Sequence, residues 1–426
     1  MKRVYHPPVN QWAELCKRPQ LDLTFLEGNV NNILERVRKS GDAALFEFTQ
    51  KFDHVTLQNL QVSAREIEEA VQSLPGELKS AILAASKNIE VFHTAQKRSI
   101  EKIETMPGVT CWRKATPVQT IGIYIPGGTA PLFSTVLMLA VPARLAGCKE
   151  VILCSPPDKK GKINPAIIFA AHLTGVSKIF KVGGAQAIAA MAYGTESIPQ
   201  VVKIFGPGNQ YVTKAKQLVS QQGTAIDMPA GPSEVLVIAD ESAPPEFVAA
   251  DLLSQAEHGV DSQVVLVSTT QTILDKVQIE IANQLTKLPR KELAQEALNN
   301  SLAILFANES ELVGFVNAYA PEHLIINTQN NKELEQQIVN AGSIFLGAFT
   351  PEAAGDYASG TNHTLPTNGF AKAFGGVSLE SFSKYITVQE ITQTGLQVIG
   401  PIIETMAEAE QLRAHAQAVR VRLSLR

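Results

Sequence analysis

The sequence has 426 residues, of which 45% are hydrophobic and 18% are charged, with a formal net charge of -4 at pH 7. This length and composition are typical of a soluble globular protein with more than one domain. The small negative charge gives no reason to expect nucleic acid or an anionic membrane as a partner.

The N-terminus has two cations but no apolar stretch behind them, so it is not expected to be a secretory signal. The longest apolar run, residues 132–141, is bounded by prolines and is too short to span a bilayer. The four cysteines form no C-x-x-C pair, which favours buried free thiols over a catalytic nucleophile. A cytoplasmic protein is therefore expected.

The first elements along the chain are predicted to be mainly helical. Residues 1–24 are expected to form an irregular arm, and a helical pattern begins at residue 25. Ser63 and Glu66 have the spacing of a capping box. An apolar stripe predicts a long helix over residues 75–102.

The rest of the chain alternates between strand-like and helical stretches, such as the helix expected over residues 270–288. The predicted strands cover residues 109–114, 119–125, 150–154, 178–182, 201–205, 235–239, 263–268, 302–306, 324–327 and 343–346. This alternation predicts an α/β fold with largely parallel sheets and helices on their faces. Two sheets are favoured over one, with a break near residues 227–235.

Beyond residue 376 the pattern changes to a short β-rich patch and then a mainly helical tail over residues 396–426. Such a tail is too small to fold alone, so it is expected to pack on the rest of the protein or on a second subunit.

Three glycine-rich loops each follow a predicted strand and precede a helix. They cover residues 121–128, 182–186 and 206–209. Backbone N–H groups at a helix N-terminus bind phosphate, although none of these loops is a dinucleotide fingerprint or a Walker loop. The alternative is that the glycines only make tight turns. A neighbouring phenol or amide in each loop, from Tyr124, Gln186 and Asn209, favours a cofactor.

The stretch from Asp227 to Gly259 places a turn containing Ser233 before a buried strand and a helix. On that helix Gln255 and His258 are three residues apart, so they are expected to share a face in its last turn. A histidine near a helix C-terminus often only interacts with the helix dipole, and local pattern alone leaves both interpretations open.

Further along, Glu322 and His323 lie side by side at the start of a predicted strand, where a histidine is a good general base. The alternative is an ordinary pair at a strand edge. Asp356 lies at the start of a polar loop. Such a loop is usually at the surface, but it could also bring Asp356 to a metal. Glu410 and His415 are five residues apart, which places them roughly 140° apart on a continuous helix. Either the helix breaks between them or both are simply solvated.

Four of these side chains, Gln255, His258, Asp356 and His415, offer nitrogen and oxygen ligands of the kind that suits a divalent ion such as zinc. No short spacing motif joins them, so the residues alone do not define the site.

Taken together, the motifs resemble those of the histidinol dehydrogenase family over nearly the whole chain. In chain order they are I-Y-I-P-G-G at 123–128, G-G-A-Q-A-I-A at 183–189, G-P-G-N at 206–209, A-G-P-S-E-V-L-V-I-A-D at 230–240, S-Q-A-E-H-G at 254–259, A-P-E-H-L at 320–324 and G-D-Y-A-S-G-T-N-H-T-L-P-T at 355–367.

The resemblance implies a cytoplasmic homodimer that oxidises L-histidinol to L-histidine through histidinal, with two NAD and one Zn²⁺ per subunit. It implies an acid–base pair formed by Glu322 and His323, and Zn²⁺ ligands at Gln255, His258, Asp356 and His415. Substrate contacts are implied at Ser233, Gln255, His258, His323, Asp356, Glu410 and His415. NAD contacts are implied at Tyr124, Gln186 and Asn209.

The resemblance also implies two incomplete Rossmann-like domains with parallel sheets, an N-terminal arm, and a C-terminal helical segment that reaches the partner's site. The expected divisions are an arm over 1–24, a first domain over 25–118 with 235–376, a second, NAD-side domain over 119–234, and a C-terminal segment over 377–426. Family members commonly have glycine at the position of Gln411, so the helix break before His415 must be made without it.

Three other functions are compatible with parts of the sequence. Related family members are expected to oxidise other primary alcohols, such as hydroxylated sulfonates, but Glu410 and His415 favour a substrate with an imidazole. A zinc-dependent binding module without catalysis is disfavoured by the intact Glu322–His323 pair. A thiol-based aldehyde dehydrogenase is poorly supported, because no cysteine lies in a loop beside a base candidate.

Overall fold

The structure of the protein is a computed structural model that describes residues 1–19, 24–127, 131–228 and 231–424. Gly128 of the first glycine-rich loop and Ala230 of the turn before Ser233 therefore lie outside the described residues.

Within these ranges the strands and helices follow one another in the alternation that the sequence predicts. The strands are β1 (Lys2–Tyr5), β2 (Lys102–Met106), β3 (Val109–Pro117), β4 (Thr120–Tyr124), β5 (Glu150–Ser155), β6 (Lys178–Lys181), β7 (Lys203–Phe205), β8 (Ala225–Ile226), β9 (Glu234–Ala239), β10 (Gln263–Ser268), β11 (Leu302–Leu305), β12 (His323–Asn327), β13 (Ser343–Leu346) and β14 (Ser383–Ile391). The α-helices are α1 (Val9–Leu15), α2 (Thr24–Phe48), α3 (Ala64–Ser73), α4 (Gly76–Thr94), α5 (Phe133–Ala146), α6 (Pro165–Thr174), α7 (Gly184–Tyr193), α8 (Gln210–Ser220), α9 (Pro245–Ala256), α10 (Gln271–Leu285), α11 (Lys291–Asn299), α12 (Glu309–Tyr319), α13 (Asn331–Glu335), α14 (Glu352–Tyr357), α15 (Gln393–Ala409) and α16 (Arg413–Leu423).

Two parallel sheets carry the fold, as expected for an α/β protein. The five-stranded sheet has the order β6-β5-β4-β7-β8, and the six-stranded sheet has the order β1-β11-β10-β9-β12-β13. Their central strands are fully buried runs of branched apolar residues, which suits strands covered by helices on both faces. A smaller antiparallel sheet, β14-β3-β2, contains the β-rich patch beyond residue 376.

The N-terminal arm differs from its prediction, because it contains regular structure. Strand β1 pairs in parallel with β11 and forms one edge of the six-stranded sheet. The ring of Trp12 on α1 makes edge contacts with Phe306 and Phe315, and this anchors the arm on the same sheet. A short, mostly exposed edge strand such as β1 carries no apolar alternation, so no pattern in the sequence predicts it.

Helices α2 to α4 cover the five-stranded sheet, which differs from the predicted grouping of residues 25–118 with the other sheet. Buried residues of α2, such as Leu34, share a core with Ile152 of β5, and Ile89 of α4 shares one with Ile121 of β4. An amphipathic stripe shows that a helix is buried on one face but not which sheet buries it.

Other predicted boundaries also shift. The capping box of Ser63 and Glu66 is confirmed at the start of α3. The long fourth helix ends at Thr94 and does not extend to residue 102. Residue 102 instead begins β2, which pairs with β3. Across the described ranges, no helix is both long enough and apolar enough to cross a membrane.

Candidate active site

The carboxyl ends of three strands in the five-stranded sheet form one side of the site. Tyr124 is the last residue of β4, Gly184 begins α7 after β6, and Asn209 caps α8 after β7. Because parallel strands end at the same edge of a sheet, these three glycine-rich loops lie together, as the rule for ligand sites in open α/β sheets predicts.

These loops border an open cavity of about 1070 Å³ whose lining includes Tyr124, Gln186 and Asn209. The Tyr124 hydroxyl accepts a hydrogen bond of 3.0 Å from the backbone N–H of Gly184. Burial raises the pKa of Tyr124 to about 12, so the phenol stays protonated and keeps a proton to donate. The Asn209 side chain accepts from the N–H groups of Tyr211 and Val212, and so caps α8.

Glycine is required at the end of β7. Gly206 has φ +117°, and a Cβ placed on it would collide with the carbonyl oxygen of Tyr124. The loop therefore approaches β4 more closely than any other residue type would allow, which fixes the cavity wall beside Tyr124.

The other side of the site is the amino edge of the six-stranded sheet. His323 is the first residue of β12, Glu322 immediately precedes it, and Ser233 immediately precedes β9. Strands β9 and β12 are parallel neighbours with His323 opposite Val235, so their first residues are adjacent. Helix α9 returns to this edge and places Gln255 in its last turn.

His323 lies at the centre of a cluster of polar side chains. Its Nδ1 is 3.2 Å from the Glu234 carbonyl oxygen, 3.2 Å from the Gln255 Nε2 and 3.6 Å from the Glu322 Oε2. Its Nε2 lies 3.7 Å from the Asp356 Oδ1. Glu322 and His323 are only 6% and 3% exposed, so their interactions take place away from bulk water.

Three atoms of this cluster are buried without a hydrogen-bond partner, namely the Gln255 Oε1, the His323 Nε2 and the Glu352 Oε2. Buried polar atoms without partners are rare and indicate an ion or ligand. One ligand atom each from His323, Glu352 and Asp356 lies within 4.8 Å of the others. A set of nitrogen and oxygen donors fits a divalent ion such as zinc.

Burial and the charges within the cluster raise the pKa values of both glutamates and of His323. Burial raises the pKa of Glu322 to about 7 and that of Glu352 to about 8, although His323 opposes both shifts. Burial lowers the pKa of His323, but the neighbouring carboxylates, with Glu322 first, outweigh it and raise this pKa to about 10. Such large pKa shifts in neighbouring groups are typical of functional sites.

Most of the predicted site residues on this side lie near one another. Ser233 and Glu322 line a common cavity, Gln255 contacts His323, and Asp356 faces His323. His258 follows the end of α9 rather than lying within its last turn, and its exposed side chain interacts electrostatically with Asp356 and His323. Asp356 lies on the short helix α14 and not in an irregular loop.

Glu410 and His415 are exposed on the C-terminal helical pair, and among the described residues no hydrogen bond or ion pair joins them to the cluster. The helix does break between them. Gln411 has φ +61°, its N–H bonds to the Glu408 carbonyl, and the Leu412 N–H bonds to the Ala407 carbonyl. This is a Schellman motif with glutamine at the position that glycine usually fills.

Three further residues of the cluster were not singled out in the sequence. Glu352 lies four residues before Asp356, so the two share a face of α14, and this spacing was available as a signal. The His363 Nδ1 lies 2.9 Å from the Asp356 carbonyl oxygen, and His363 belongs to a motif that was quoted whole. Glu234 reads as an ordinary strand residue, and only the structure shows its contacts.

The two edges meet across a smaller cavity of about 110 Å³. It is lined by Gly206 and Gly208 from the five-stranded side and by Ser233, Glu322 and His363 from the six-stranded side. Glu322, one of the two catalytic candidates, therefore faces the glycine-rich loop after β7.

The cysteines support the expectation of free thiols, since all four are unpaired. Burial raises the pKa of the Cys148 thiol to about 11, and the pKa of the fully buried Cys154 thiol is raised as well. Neutral thiols of this kind are poor nucleophiles, which leaves the thiol-based alternative without support.

Comparisons with known proteins agree with this geometry. The family model described as histidinol dehydrogenase matches residues 16–423. The histidinol dehydrogenase of Bacteroides fragilis strain YCH46 is 62% identical, covering 99% of this chain and 99% of its own length. That of Escherichia coli K12 is 53% identical, covering 98% and 96%. The crystal structure of the histidinol dehydrogenase from Elizabethkingia anophelis is 55% identical and superimposes with a TM-score of 0.98, covering 99% of this chain and 98% of that one.

Proposed function

The chain belongs to the histidinol dehydrogenase family, and from this premise we propose that it oxidises L-histidinol to L-histidine by way of histidinal, with two NAD. It is thus an NAD-dependent oxidoreductase of histidine biosynthesis. The observation that carries the proposal is the buried Glu322–His323 pair, of which Glu322 lines a cavity shared with the glycine-rich loop after β7.

Tyr124, Gln186 and Asn209 are proposed to hold NAD in the cavity of about 1070 Å³. Bound there, NAD supplies the hydride acceptor for each of the two oxidations. The helix N-termini of α7 and α8 open onto the same loops, and the positive ends of their helix dipoles suit a pyrophosphate.

Gln255, His258 and Asp356 are proposed to bind one Zn²⁺, with His415 of the partner subunit as the fourth ligand. Zinc has no redox chemistry, so the bound ion supplies a fixed anchor for the amino and imidazole nitrogens of the substrate. The unpartnered Gln255 Oε1 in the cluster supports this assignment.

His323 is proposed to act as the base in both oxidations. The neighbouring carboxylates raise the pKa of this ring, and a cation bound among them would lower it again, so that the unpartnered Nε2 is free to take the hydroxyl proton as the carbon gives up a hydride. Glu322 is proposed to remove a proton from the water that adds to the aldehyde, and a pKa of about 7 suits a group that accepts and releases protons near neutrality. His323 then takes the proton of the resulting hydrate in the second oxidation.

The substrate is proposed to contact Ser233 as well as the cluster, and Glu410 with His415 is proposed to come from the other subunit of a homodimer. The exposed position of both residues in the single chain agrees with that role. Because the aldehyde stays enclosed between two subunits, a reactive intermediate is kept from escaping. The protein is proposed to work in the cytoplasm.

A spectrophotometric assay of the purified protein with L-histidinol and NAD tests this function. Two NADH are expected for each histidinol consumed, with loss of activity on adding a chelator and recovery with Zn²⁺. A hydroxylated sulfonate serves as the control substrate and should give no NADH. NADH from the sulfonate and none from histidinol would overturn the proposal in favour of the other primary alcohols.

A further inference from the structure

The carboxylate of Glu234 is among the most completely paired groups in the protein. It is 1% exposed and accepts from the Arg18 Nε at 2.6 Å, the Arg18 Nη2 at 3.2 Å, the Tyr319 hydroxyl at 3.2 Å and the Asn368 N–H at 2.8 Å. The Arg18 side chain is also buried, at 6% exposure, and its guanidinium lies 3.5 Å from the centre of the Tyr319 ring. A two-pronged contact of this kind fixes the orientation of both partners.

The backbone of the same residue reaches the proposed catalytic pair. The Glu234 N–H donates to the Glu322 Oε2 at 2.9 Å, and the Glu234 carbonyl oxygen lies 3.2 Å from the His323 Nδ1. The carbonyl also lies 3.4 Å from the Gln255 Nε2. One residue at the start of β9 therefore contacts a base candidate, an acid candidate and a metal-ligand candidate through its main chain.

Stability alone does not explain why the chain buries this ion pair. Removing two charges from water costs several kcal/mol per ion, and apolar pairs of similar size often stabilise a protein as well or better. An ion pair with two hydrogen bonds fixes the relative orientation of its side chains, because each hydrogen bond has a preferred geometry. An apolar pair does not. Catalytic side chains must be held to within about 0.5 Å, so placement is the property that matters here.

The position of Arg18 explains how this placement is secured. Arg18 belongs to the N-terminal arm, and its Nη1 and Nη2 also donate to the carbonyl oxygens of Cys16 and Tyr319. The arm is itself fixed on the six-stranded sheet by β1 and Trp12. The guanidinium is therefore held in one position, and Glu234, the first residue of β9, is hydrogen-bonded to it.

We propose that Arg18 and Glu234 are positioning residues that hold the Glu234 backbone where it orients the Glu322 carboxylate and the His323 ring. This proposal rests on the proposed function for the roles of Glu322 and His323, but the contacts themselves do not depend on it. The pair acts through the main chain and touches no substrate.

The test uses the double variant Arg18→Met with Glu234→Gln in the full-length protein, because it removes both charges and leaves no buried ion unpaired. The amide oxygen of Gln can still accept from the Asn368 N–H, and its NH2 can donate to the Tyr319 hydroxyl, which donates to the Gln263 Oε1, so the fold is expected to be retained. We expect kcat to fall at least tenfold in both half-reactions, while KM for histidinol and for NAD stays within about twofold. Arg18→Lys, which keeps the charge but loses the two-pronged contact, should recover part of kcat.

The double variant Lys181→Met with Glu66→Gln is the matched control, since it removes both charges of a largely buried ion pair on the other sheet. It should leave kcat unchanged. A crystal structure of the Arg18→Met, Glu234→Gln variant gives a readout independent of turnover. The separation between the Glu234 N and the Glu322 carboxylate should exceed 3.5 Å. An unchanged separation, or a variant with normal kcat, overturns the positioning role. Absence of histidinol turnover by the unmodified protein instead overturns the proposed function, while a lengthened separation still supports the pair.

Discussion

The two parallel sheets contribute opposite edges to the same site. The five-stranded sheet offers its carboxyl edge, with loops after β4, β6 and β7 around an open cavity of about 1070 Å³. The six-stranded sheet offers its amino edge, where His323 begins β12 and Glu234 begins β9. The first edge is built from glycines and backbone N–H groups, and the second from buried ionisable side chains.

This difference determines which chemistry each edge is suited to. Helix N-termini follow the carboxyl ends of strands, so that edge presents backbone donors and is suited to an anionic group. At the amino edge the helices arrive with their C-termini, as α9 does, and charge must come from side chains. Buried side chains have shifted pKa values, and proton transfer requires such groups.

We expect the largest effect on activity from Glu322→Gln, a substitution at the amino edge of the six-stranded sheet. Gln keeps the size of the side chain but cannot take a proton from water. Oxidation of histidinal should therefore slow by about 10²–10⁴-fold, and oxidation of histidinol by far less. Single-turnover NADH formation with each substrate measures the two steps. Equal losses in both would remove Glu322 from its role with water.

A second change at the amino edge is His258→Asn, which tests the metal assignment. Loss of a direct ligand should lower affinity for Zn²⁺ by at least 10–100-fold, the range found for less direct partners. Metal analysis of purified protein should then show substoichiometric zinc. His54→Asn, at an exposed histidine after the second helix, is the control and should keep full occupancy. Full zinc content in His258→Asn would exclude His258 as a ligand.

The two edges also differ in how far the sequence could predict them. The strands of both sheets are runs of Val, Ile and Leu, and the sequence predicted nearly all of the central ones. The carboxyl-edge loops were recognisable because glycines follow strands at fixed places. The pairing of Gln255 with His323 and Asp356 was not, since these residues follow Gln255 by 68 and 101 positions and a local pattern carries no information on such distant contacts. Only the resemblance brought them together.

What remained unpredicted has physical causes as well. Strand β1 is too short and exposed to show a pattern, and Glu234 serves the site through its backbone, which no residue type reveals. Glu352 was missed because residues around Asp356 were expected to form a loop, so the spacing of four between Glu352 and Asp356 was not interpreted as one face of a helix.

At the carboxyl edge the expected effects are smaller, and Tyr124→Phe shows this. The change removes the acceptor of the Gly184 N–H and one donor towards the cofactor, which costs about 1–1.5 kcal/mol. KM for NAD should rise about five- to tenfold with little change in kcat or in bound zinc. Initial rates over a range of NAD concentrations measure it. A fall in kcat as large as that of Glu322→Gln would erase the distinction between the two edges.

The smallest effect concerns the C-terminal pair, which neither edge contains in the single chain. Gln411 holds φ +61° in the Schellman motif that ends α15, a conformation that costs a non-glycine residue about 1 kcal/mol. Gln411→Gly should raise the free energy of unfolding by about that amount in urea titrations, whereas Gln411→Ala should not. Because the backbone path is unchanged, Glu410 and His415 keep their places and kcat should stay the same. A stabilised variant with altered kcat would show that the conformation of Gln411 affects turnover as well as ending α15.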